Sequence, residues 1–205
     1  MTQATRLILL PLVLWLAACA STRIEEAWTL PGYTPPAPEQ RKVLVVALAA
    51  RETIRQAFED TFVKELEGKG ILAVPSHQWI ADGTTINRDS LRPIVVQNGI
   101  TSVLIGSLRG IEKSATYQPP QQVGPGDNLY RNFDTYMVYS SSGQHEPGEY
   151  VELTEYLLET NLFNARDEKL SWSVKTRTTK QPSLQQGVDS IVSTVIKQAT
   201  KDHIF

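Results

Sequence analysis

Residues 43 to 49 read VLVVALA, an uninterrupted apolar run of strand length that contains three valines. A run that is apolar at every position predicts a strand covered on both faces, as in the centre of a parallel sheet. Residues 51 to 67 follow with a helical pattern that ends before Gly68, and residues 71 to 74 resemble a second short strand. Together they predict a βαβ unit with a right-handed crossover. The apolar positions of the helix are Ile54, Ala57, Phe58, Phe62 and Leu66.

The same alternation of helix and strand occurs once more downstream. Asp89 or Ser90 can cap a second helix, and Pro93 fits only in the first turn of such a helix. The apolar segment TSVLIGSL, residues 101 to 108, then predicts a third strand of the sheet. The predicted strand ends at Leu108, and beyond Gly110 the periodicity is lost.

The C-terminal half predicts a β-meander followed by a helix. Alternating apolar residues predict a strand at residues 133 to 139 and a hairpin centred on Arg166, and Ser183 caps a final helix with an apolar stripe. The order β-α-β-α-β, then a meander and a C-terminal helix, predicts an α/β fold with a mixed sheet in a two-layer or three-layer sandwich. The expected hairpin pairs are Leu162 with Leu170, Thr160 with Trp172, Leu158 with Val174 and Tyr156 with Thr176, and on the other face Glu155 with Arg177 and Leu157 with Lys175.

The N-terminus has the features of a secretory signal. Arg6 precedes the apolar run LILLPLVLWL at residues 7 to 16, and small residues follow it. The run is shorter than the roughly 20 apolar residues that a transmembrane helix needs, so a retained helix is the weaker interpretation. Residues 16 to 19, LAAC, resemble the bacterial lipobox. In that motif the cysteine is joined to diacylglycerol, the peptide is cut before it, and the new amino terminus is acylated, typically with palmitate.

The lipobox resemblance implies where the mature protein is located. It makes residues 1 to 18 a lipoprotein signal peptide and Cys19 the lipid attachment site. Ala20 stands where an inner-membrane retention signal would usually have Asp, which implies an outer-membrane lipoprotein that faces the periplasm. The alternative is an ordinary signal peptide that leaves a free cysteine. Cys19 is the only cysteine, so no internal disulfide is expected.

Composition predicts one domain behind a tether. Residues 19 to 41 contain four prolines, which disfavour a helix and predict a semi-rigid spacer. Residues 42 to 205 have the length of a single domain, which we expect to be a periplasmic α/β domain. The formal net charge of −2 supplies no basic field, so a nucleic-acid partner is not expected.

Three segments carry a resemblance to a known group of proteins. The strand VLVVALA, the segment NGITSVLIGSL at residues 98 to 108 and the hairpin NLFNARDEKLSWS at residues 161 to 173 look like those of periplasmic lipoprotein domains related to the N-terminal domain of TolB. This superfamily includes the curli-secretion lipoprotein and the penicillin-binding-protein activator. The resemblance implies a fold and an envelope location, and no catalytic residue follows from it.

Candidate catalytic and metal-ligating residues do not form a recognisable set. His77, His145 and His203 lie far apart without other ligands at metal-site spacing, so we predict no metal and no cofactor. No G-x-S-x-G motif surrounds a serine. A carboxylate pair for glycoside cleavage is conceivable, but exposed charges balanced by Lys175 and Arg177 are the simpler interpretation. The carboxylates concerned are Glu149, Glu152, Glu155 and Glu159. The chain is therefore predicted not to be an enzyme.

Surface recognition is the function that remains. Residues 117 to 130 predict a long loop, and Tyr117, Tyr130 and Tyr150 lie in or beside it. Tyrosine is enriched where proteins bind one another, so we predict that these three residues contact a partner. The expected function is a lipid-anchored module that docks an envelope protein, such as a cell-wall synthase or assembly machinery. The alternative is a module that binds glycan or another small ligand in the cleft beside residues 43 to 49.

Overall fold

The computed structural model describes residues 21–118, 132–134, 137 and 149–205. The strands are β1 (Thr22–Thr29), β2 (Lys42–Leu48), β3 (Leu72–Pro75), β4 (Ser102–Gln118), β5 (Glu149–Asn164) and β6 (Leu170–Thr179). The helices are α1 (Glu52–Glu67), α2 (Arg88–Gln97) and α3 (Leu184–Lys201). The strands form one sheet in the order β1-β6-β5-β4-β2-β3, in which β2 is parallel to β3 and β4 and the other neighbours are antiparallel. This architecture confirms the predicted α/β fold with a mixed sheet.

Strand β2 contributes to both sides of the core, as its sequence predicts. Residues 43 to 47 are each at most 4% exposed. Val43, Val45 and Ala47 belong to the apolar cluster that includes α1 and α3 side chains, whereas Leu44 and Val46 belong to the cluster that includes Ile94 of α2. Successive side chains of a strand point to opposite faces, so this one strand holds two layers together.

Helices α1 and α3 cover one face of the sheet. Phe58 and Phe62 of α1 pack with ring centroids 4.7 Å apart. The predicted cap of α3 is confirmed, because the Gln186 backbone N–H donates to Ser183 Oγ at 3.2 Å. That bond satisfies one of the amides that the start of a helix leaves free. The buried stripe of α3 comprises Val188, Ile191, Val192, Val195, Ile196 and Ala199.

The start of α2 differs from the prediction. Asn87 is the N-cap, and neither Asp89 nor Ser90 is. Asn87 Oδ1 accepts from the Ser90 N–H at 3.0 Å, and Ser90 Oγ accepts from the Asn87 N–H at 3.0 Å. This reciprocal capping box satisfies two amides at once and outweighs a cap at Asp89 or Ser90. Pro93 therefore lies in the second turn, inside the helix.

Strand β4 continues ten residues beyond the predicted end at Leu108. It pairs with β5 along its whole length, from Ser102 opposite Asn164 to Gln118 opposite Glu149. A bulge beyond Leu108 interrupts the alternation, and the side chains after it are mostly exposed. An exposed two-stranded segment needs no alternation of apolar residues. The sequence pattern therefore predicted an end of β4 that is too early.

The β5–β6 hairpin has the predicted faces but a register that differs by two residues. The turn occupies residues 165 to 168, one more than expected, and Ser171 is an extra residue in β6. Because the total shift is even, the β6 side chains from Trp172 onward stay on their predicted faces, whereas Leu170, which precedes the extra residue, pairs with Phe163 and not with Leu162. The observed pairs are Tyr156 with Thr178, Leu158 with Thr176, Thr160 with Val174, Leu162 with Trp172, Leu157 with Arg177 and Glu155 with Thr179.

Strand β1 corrects the predicted start of the folded domain. Residues 22 to 29, which we expected in the tether, pair antiparallel with β6. Thr22 Oγ1 lies 2.9 Å from Thr178 Oγ1 and 2.8 Å from Ser190 Oγ of α3, so the strand is bonded to both layers. The sheet therefore begins well before Lys42. Polar residues and a bulge in TRIEEAWT conceal the alternation that would have revealed a strand.

The remaining predictions lie partly outside the described residues. Within the expected strand at residues 133 to 139, Phe133, Asp134 and Met137 are described, and their conformation is helical. Their spacing suits one face of a helix as well as a strand, which explains the error. The predicted signal peptide, residues 1 to 18, and Cys19 are outside the described part of the chain. Among the helices that are described, none is long and apolar enough to cross a membrane.

Packing between β4 and α1 gives a test of the fold. A Cβ added to Gly106 would lie 2.4 Å from Phe58 Cζ. We expect Gly106→Ala to lower the free energy of unfolding by about 1–3 kcal/mol, because the ring is held in a packed core. The measurement is urea denaturation. Gly110→Ala on the same strand is the control, because its Cβ would meet nothing closer than Leu157 Cδ1 at 3.7 Å. Equal losses for both variants would contradict this packing.

Candidate functional site

Strands β4 and β5 continue beyond the rest of the sheet. In the described residues, β2 pairs with β4 only as far as Ser107, and β6 pairs with β5 only as far as Glu155. Residues 113–118 and 149–154 pair there with each other, apart from one hydrogen bond from the Lys180 N–H to the Thr154 carbonyl, and we call this segment the ribbon. Six residues at about 3.4 Å each give the ribbon a length of about 20 Å.

The ribbon brings two of the predicted partner-binding residues together. Tyr117 and Tyr150 are directly opposite each other, with ring centroids 5.3 Å apart and planes inclined by 56°. Their exposed fractions are 50% and 72%, so most of the paired aromatic surface is available for contact. Tyr117 lies in a strand, which corrects its predicted place in a loop. Tyr130, the third predicted residue, is outside the described residues.

Both faces of the ribbon expose apolar surface. Val151 and Leu153 lie on the face opposite the tyrosine pair and are 38% and 37% exposed. Tyrosine and aliphatic side chains together form a surface that buries apolar area while its hydroxyl groups still reach polar partners. The ribbon is therefore suited to contact with another macromolecule.

A second candidate site is a pocket of about 530 Å³ at the carboxyl end of β2. Its lining includes Leu48, Glu52, Arg55 and the loop of residues 82 to 86. In open α/β sheets, ligands bind outside the carboxyl ends of the parallel strands. The pocket thus lies where the alternative hypothesis placed a small ligand, beside residues 43 to 49.

A buried carboxylate lies next to this pocket. The Glu59 side chain is 0% exposed. Its Oε1 accepts from the Ala47 N–H at 2.9 Å and from Ser76 Oγ at 2.7 Å, and its Oε2 accepts from the His77 N–H at 2.8 Å. These hydrogen bonds connect α1 to the end of β2 and to the segment that follows β3. A buried carboxylate needs such donors because it has lost its hydration.

Arg55 supplies the opposite charge and belongs to the pocket lining. Its Nε lies 3.4 Å from Glu59 Oε1, its Nη1 donates to Glu52 Oε2 at 3.2 Å, and its Nη2 donates to the Ile80 carbonyl at 2.8 Å. The side chain is 4% exposed. The guanidinium is therefore held rigidly at the pocket by partners on three sides.

Sequence reasoning missed this pair. Arg55 and Glu59 are four residues apart and fall on the stripe that Phe62 and Leu66 continue, at positions i, i+4, i+7 and i+11 of α1. Two opposite charges at i and i+4 on the apolar face of a helix that follows a buried strand were the available signal.

A network of ion pairs covers the other face of β1, β5 and β6. Arg177 of β6 donates to Glu25 of β1 and Glu112 of β4, and its Nη1 lies 3.3 Å from Glu155 Oε2 of β5. The hydrogen bond from Arg177, followed by the charges of Arg177 and Arg23, lowers the pKa of Glu25 although partial desolvation opposes it. One arginine thus connects carboxylates on three other strands.

The predicted role of the exposed glutamates is corrected in detail. Glu155 contacts Arg177 and also Arg23, at 2.9 Å, whereas Lys175 contacts Glu26 of β1 at 2.7 Å. Glu159 contacts Arg109 at 3.4 Å. The unforeseen partners Glu26 and Arg23 come from β1, which was not expected to be part of the sheet.

The histidines are not brought together by the described structure. His77 Nε2 lies 2.7 Å from Asp60 Oδ1, and His203 is in the loop after α3. His145 is outside the described residues. Over the ranges that the structure describes, no three His, Cys, Asp or Glu side chains are grouped in a way that could hold a metal ion.

No family model matches the sequence, and no curated protein matches it. The resemblance to the TolB-related lipoprotein domains therefore stays a prediction. Several solved structures resemble the chain. The PelC dodecamer from Paraburkholderia phytofirmans has 11% identity and a TM-score of 0.47 over 85% of this chain and 94% of that one. Lipoprotein GNA1162 from Neisseria meningitidis has 16% identity and a TM-score of 0.41 over 78% and 99%. A minor lipoprotein from Acinetobacter baumannii has 7% identity and a TM-score of 0.34 over 80% and 96%.

The buried pair predicts a large effect of a nearly isosteric change. We expect Glu59→Gln to lower the free energy of unfolding by about 3 kcal/mol, because it leaves the Arg55 charge buried beside a neutral amide. Urea denaturation measures it. Asp60→Asn is the matched control, since the Asp60 side chain is 61% exposed and a surface pair contributes at most about 1 kcal/mol. A Glu59→Gln loss no larger than that of the control would show that the buried pair adds little.

The ion-pair network predicts a titration change. In Arg177→Gln, we expect the pKa of Glu25 to rise toward its ordinary value of 4.5, because the hydrogen bond and the positive charge are removed. The carboxyl resonance in an NMR pH titration reports it. Lys175→Gln should leave Glu25 unchanged, because Lys175 contacts Glu26 instead. Since the folded pKa is lowered, the interaction stabilises the fold above the ordinary pKa and is lost as the pH falls through the folded value.

Proposed function

We propose that the chain is an outer-membrane lipoprotein, anchored through lipid on Cys19 and facing the periplasm, that docks an envelope protein and catalyses no reaction. The observation that carries the docking part is the ribbon with its exposed Tyr117–Tyr150 pair. Tyr130 is proposed to contribute to the same contact. A cell-wall synthase or a component of envelope assembly machinery is the class of partner that we propose.

Two properties of the ribbon support docking. It projects from the sheet, so a partner can contact both of its faces without displacing the core. Its tyrosines are paired, so each ring restricts the other before any partner arrives, which reduces the conformational entropy lost on binding. Hot-spot residues of protein interfaces are enriched in tyrosine for related reasons.

The anchor follows from the lipobox resemblance at residues 16 to 19 and from the lipid chemistry it implies. Each buried methylene contributes about 0.8 kcal/mol, and one acyl chain alone gives only reversible binding. The diacylglycerol and amide-linked acyl chains implied for Cys19 are enough for stable attachment.

A second candidate function is the binding of a small ligand or glycan fragment in the pocket at the end of β2. The position of the pocket at the carboxyl end of the parallel strand β2 favours it, because ligands of open α/β sheets bind outside the carboxyl ends of the strands. Thermal-shift measurements with peptidoglycan fragments test this candidate, since a specific ligand raises the melting temperature by mass action. No shift with any fragment at millimolar concentration would argue against it.

The docking proposal predicts a position-specific crosslink. A photo-crosslinking residue at Tyr150 in the lipidated protein should give a discrete protein adduct in intact cells, and the same residue at Arg166 in the β5–β6 turn should not. Tyr117→Ser should reduce the Tyr150 adduct without changing the unfolding midpoint, because Tyr117 is an exposed neighbour. Equal adducts at both positions, or none at either, would contradict docking through the ribbon.

A companion measurement tests the anchor. Mass spectrometry of the mature protein should show that residues 1 to 18 are absent and that Cys19 carries the mass of diacylglycerol and one acyl group. Cys19→Ala should leave the protein uncleaved or unanchored. An unmodified Cys19 thiol in the wild-type protein would contradict the proposed localisation. The docking proposal would not be affected, because the crosslinking experiment tests it separately.

A further inference from the structure

The folded sheet begins almost at the predicted lipid attachment site. The Thr179 N–H donates to the Ser21 carbonyl at 2.9 Å, so pairing with β6 already includes Ser21. Cys19 is two residues earlier. Two residues of extended chain span at most about 7 Å. The proline-rich segment that we expected between anchor and domain instead connects β1 to β2, and it gives the domain no distance from the membrane.

The strand directions place the anchor and the ribbon on the same side of the sheet, at the same ends of the strands. β1 and β5 are both antiparallel to β6, so the start of β1 lies beside the end of β6 and beside the middle of β5. Ser21 is opposite Thr179, and Thr179 is opposite Glu155. From Glu155 the ribbon continues away from the rest of the sheet, on the side where β1 begins.

The ribbon reaches further in that direction than the anchor can. Tyr150 is five residues beyond Glu155, which corresponds to about 17 Å of strand. Cys19 is two residues beyond Ser21, at most about 7 Å. The two chains leave the sheet two strand positions apart, about 10 Å laterally. The tyrosine pair therefore lies at least about 10 Å further from the sheet than Cys19 can reach.

We infer that the ribbon points at the bilayer and that Tyr117 and Tyr150 lie among the lipid headgroups. This inference rests on the lipid anchor at Cys19 in the proposed function. Tyrosine is enriched at membrane–water interfaces, where its ring is in apolar surroundings and its hydroxyl is hydrated. Lys113 and Glu152 lie on the same face of the ribbon, and their charges keep the contact at headgroup depth.

The inference deepens the proposed function by fixing where docking takes place. With the ribbon among the headgroups, the turn at residues 165 to 168 lies at the opposite end of β5 and faces the periplasm. A protein that contacts the ribbon must then do so at the membrane surface, beside the headgroups that the tyrosine pair contacts. The lipid surface is a second attachment for a domain whose first attachment is the Cys19 lipid, and two attachments hold an orientation that one cannot.

Site-specific labelling tests the orientation, because the lipidated Cys19 has no free thiol and an introduced cysteine is the only reactive one. The purified lipidated variants Tyr150→Cys, Lys113→Cys and Arg166→Cys carry a fluorophore and are reconstituted in vesicles of phosphatidylethanolamine and phosphatidylglycerol. Nitroxide on the lipid headgroups quenches only those labels that lie close to it. We expect several-fold stronger quenching at position 150 than at position 166, with position 113 between them, because the three are at increasing distance from the ribbon end.

Each outcome either supports or overturns the inference. Weak and equal quenching at all three positions, or stronger quenching at position 166, overturns it even when mass spectrometry shows the Cys19 lipid. Absence of that lipid overturns both the inference and the anchor proposal, so the two failures are distinguishable. Quenching at position 150 by nitroxide at the acyl-chain ends, and not at the headgroups, shows a deeper insertion than the charges allow and also contradicts it. Two labels on the ribbon protect the test against one poorly folded variant.

Discussion

Strand β2 buries side chains on both of its faces, and the positions of the other elements follow from this requirement. A strand with no solvated face needs a covering layer on each side of the sheet, as in the parallel sheets of α/β proteins. Helices α1 and α3 provide one layer, whereas α2 and the segments around Ile80 and Ile100 provide the other. The β2–α1–β3 crossover brings the start of α1 and the segment after β3 to the carboxyl edge of β2. The pocket at that edge is a consequence of this connection.

The buried Arg55–Glu59 pair lies at this edge and completes the polar bonding that the edge requires. The strand ends at Ala47 and Leu48. The Glu59 carboxylate accepts a hydrogen bond from the Ala47 N–H, which has no partner further along the sheet. It also accepts hydrogen bonds from the Ser76 hydroxyl group and from the His77 N–H, which follow β3. The result is a fixed junction of three segments in which the guanidinium is oriented by its partners. A buried pair of this kind is often neutral for stability compared with apolar residues, so positional specificity is the better account of it.

The sequence was informative where burial imposes a pattern and uninformative where it does not. VLVVALA, the apolar stripe of α3 and the faces of the β5–β6 hairpin were predicted correctly, because one-sided or two-sided burial constrains every residue there. The hairpin register was not, since a longer turn and the extra residue Ser171 together leave the faces from Trp172 onward unchanged and move only Leu170 to the other face. The far half of β4 and strand β1 were missed because exposed or edge strands accept polar residues. Arg55 and Glu59 were missed because their role depends on contacts with Ala47 and Ser76, which are distant along the chain.

Topology places the three features of functional interest at one edge. β2 and β4 are parallel, so the pocket at the end of β2 and the ribbon at the end of β4 lie on the same side of the sheet. β1 runs in the opposite direction, so its start, next to Cys19, lies on that side as well. If β1 ran in the other direction, its start would lie beside the β5–β6 turn, and so would the proposed lipid anchor. The antiparallel pairing of β1 with β6, which polar residues concealed in the sequence, therefore decides whether the proposed anchor lies on the side of the ribbon and the pocket or on the side of the turn.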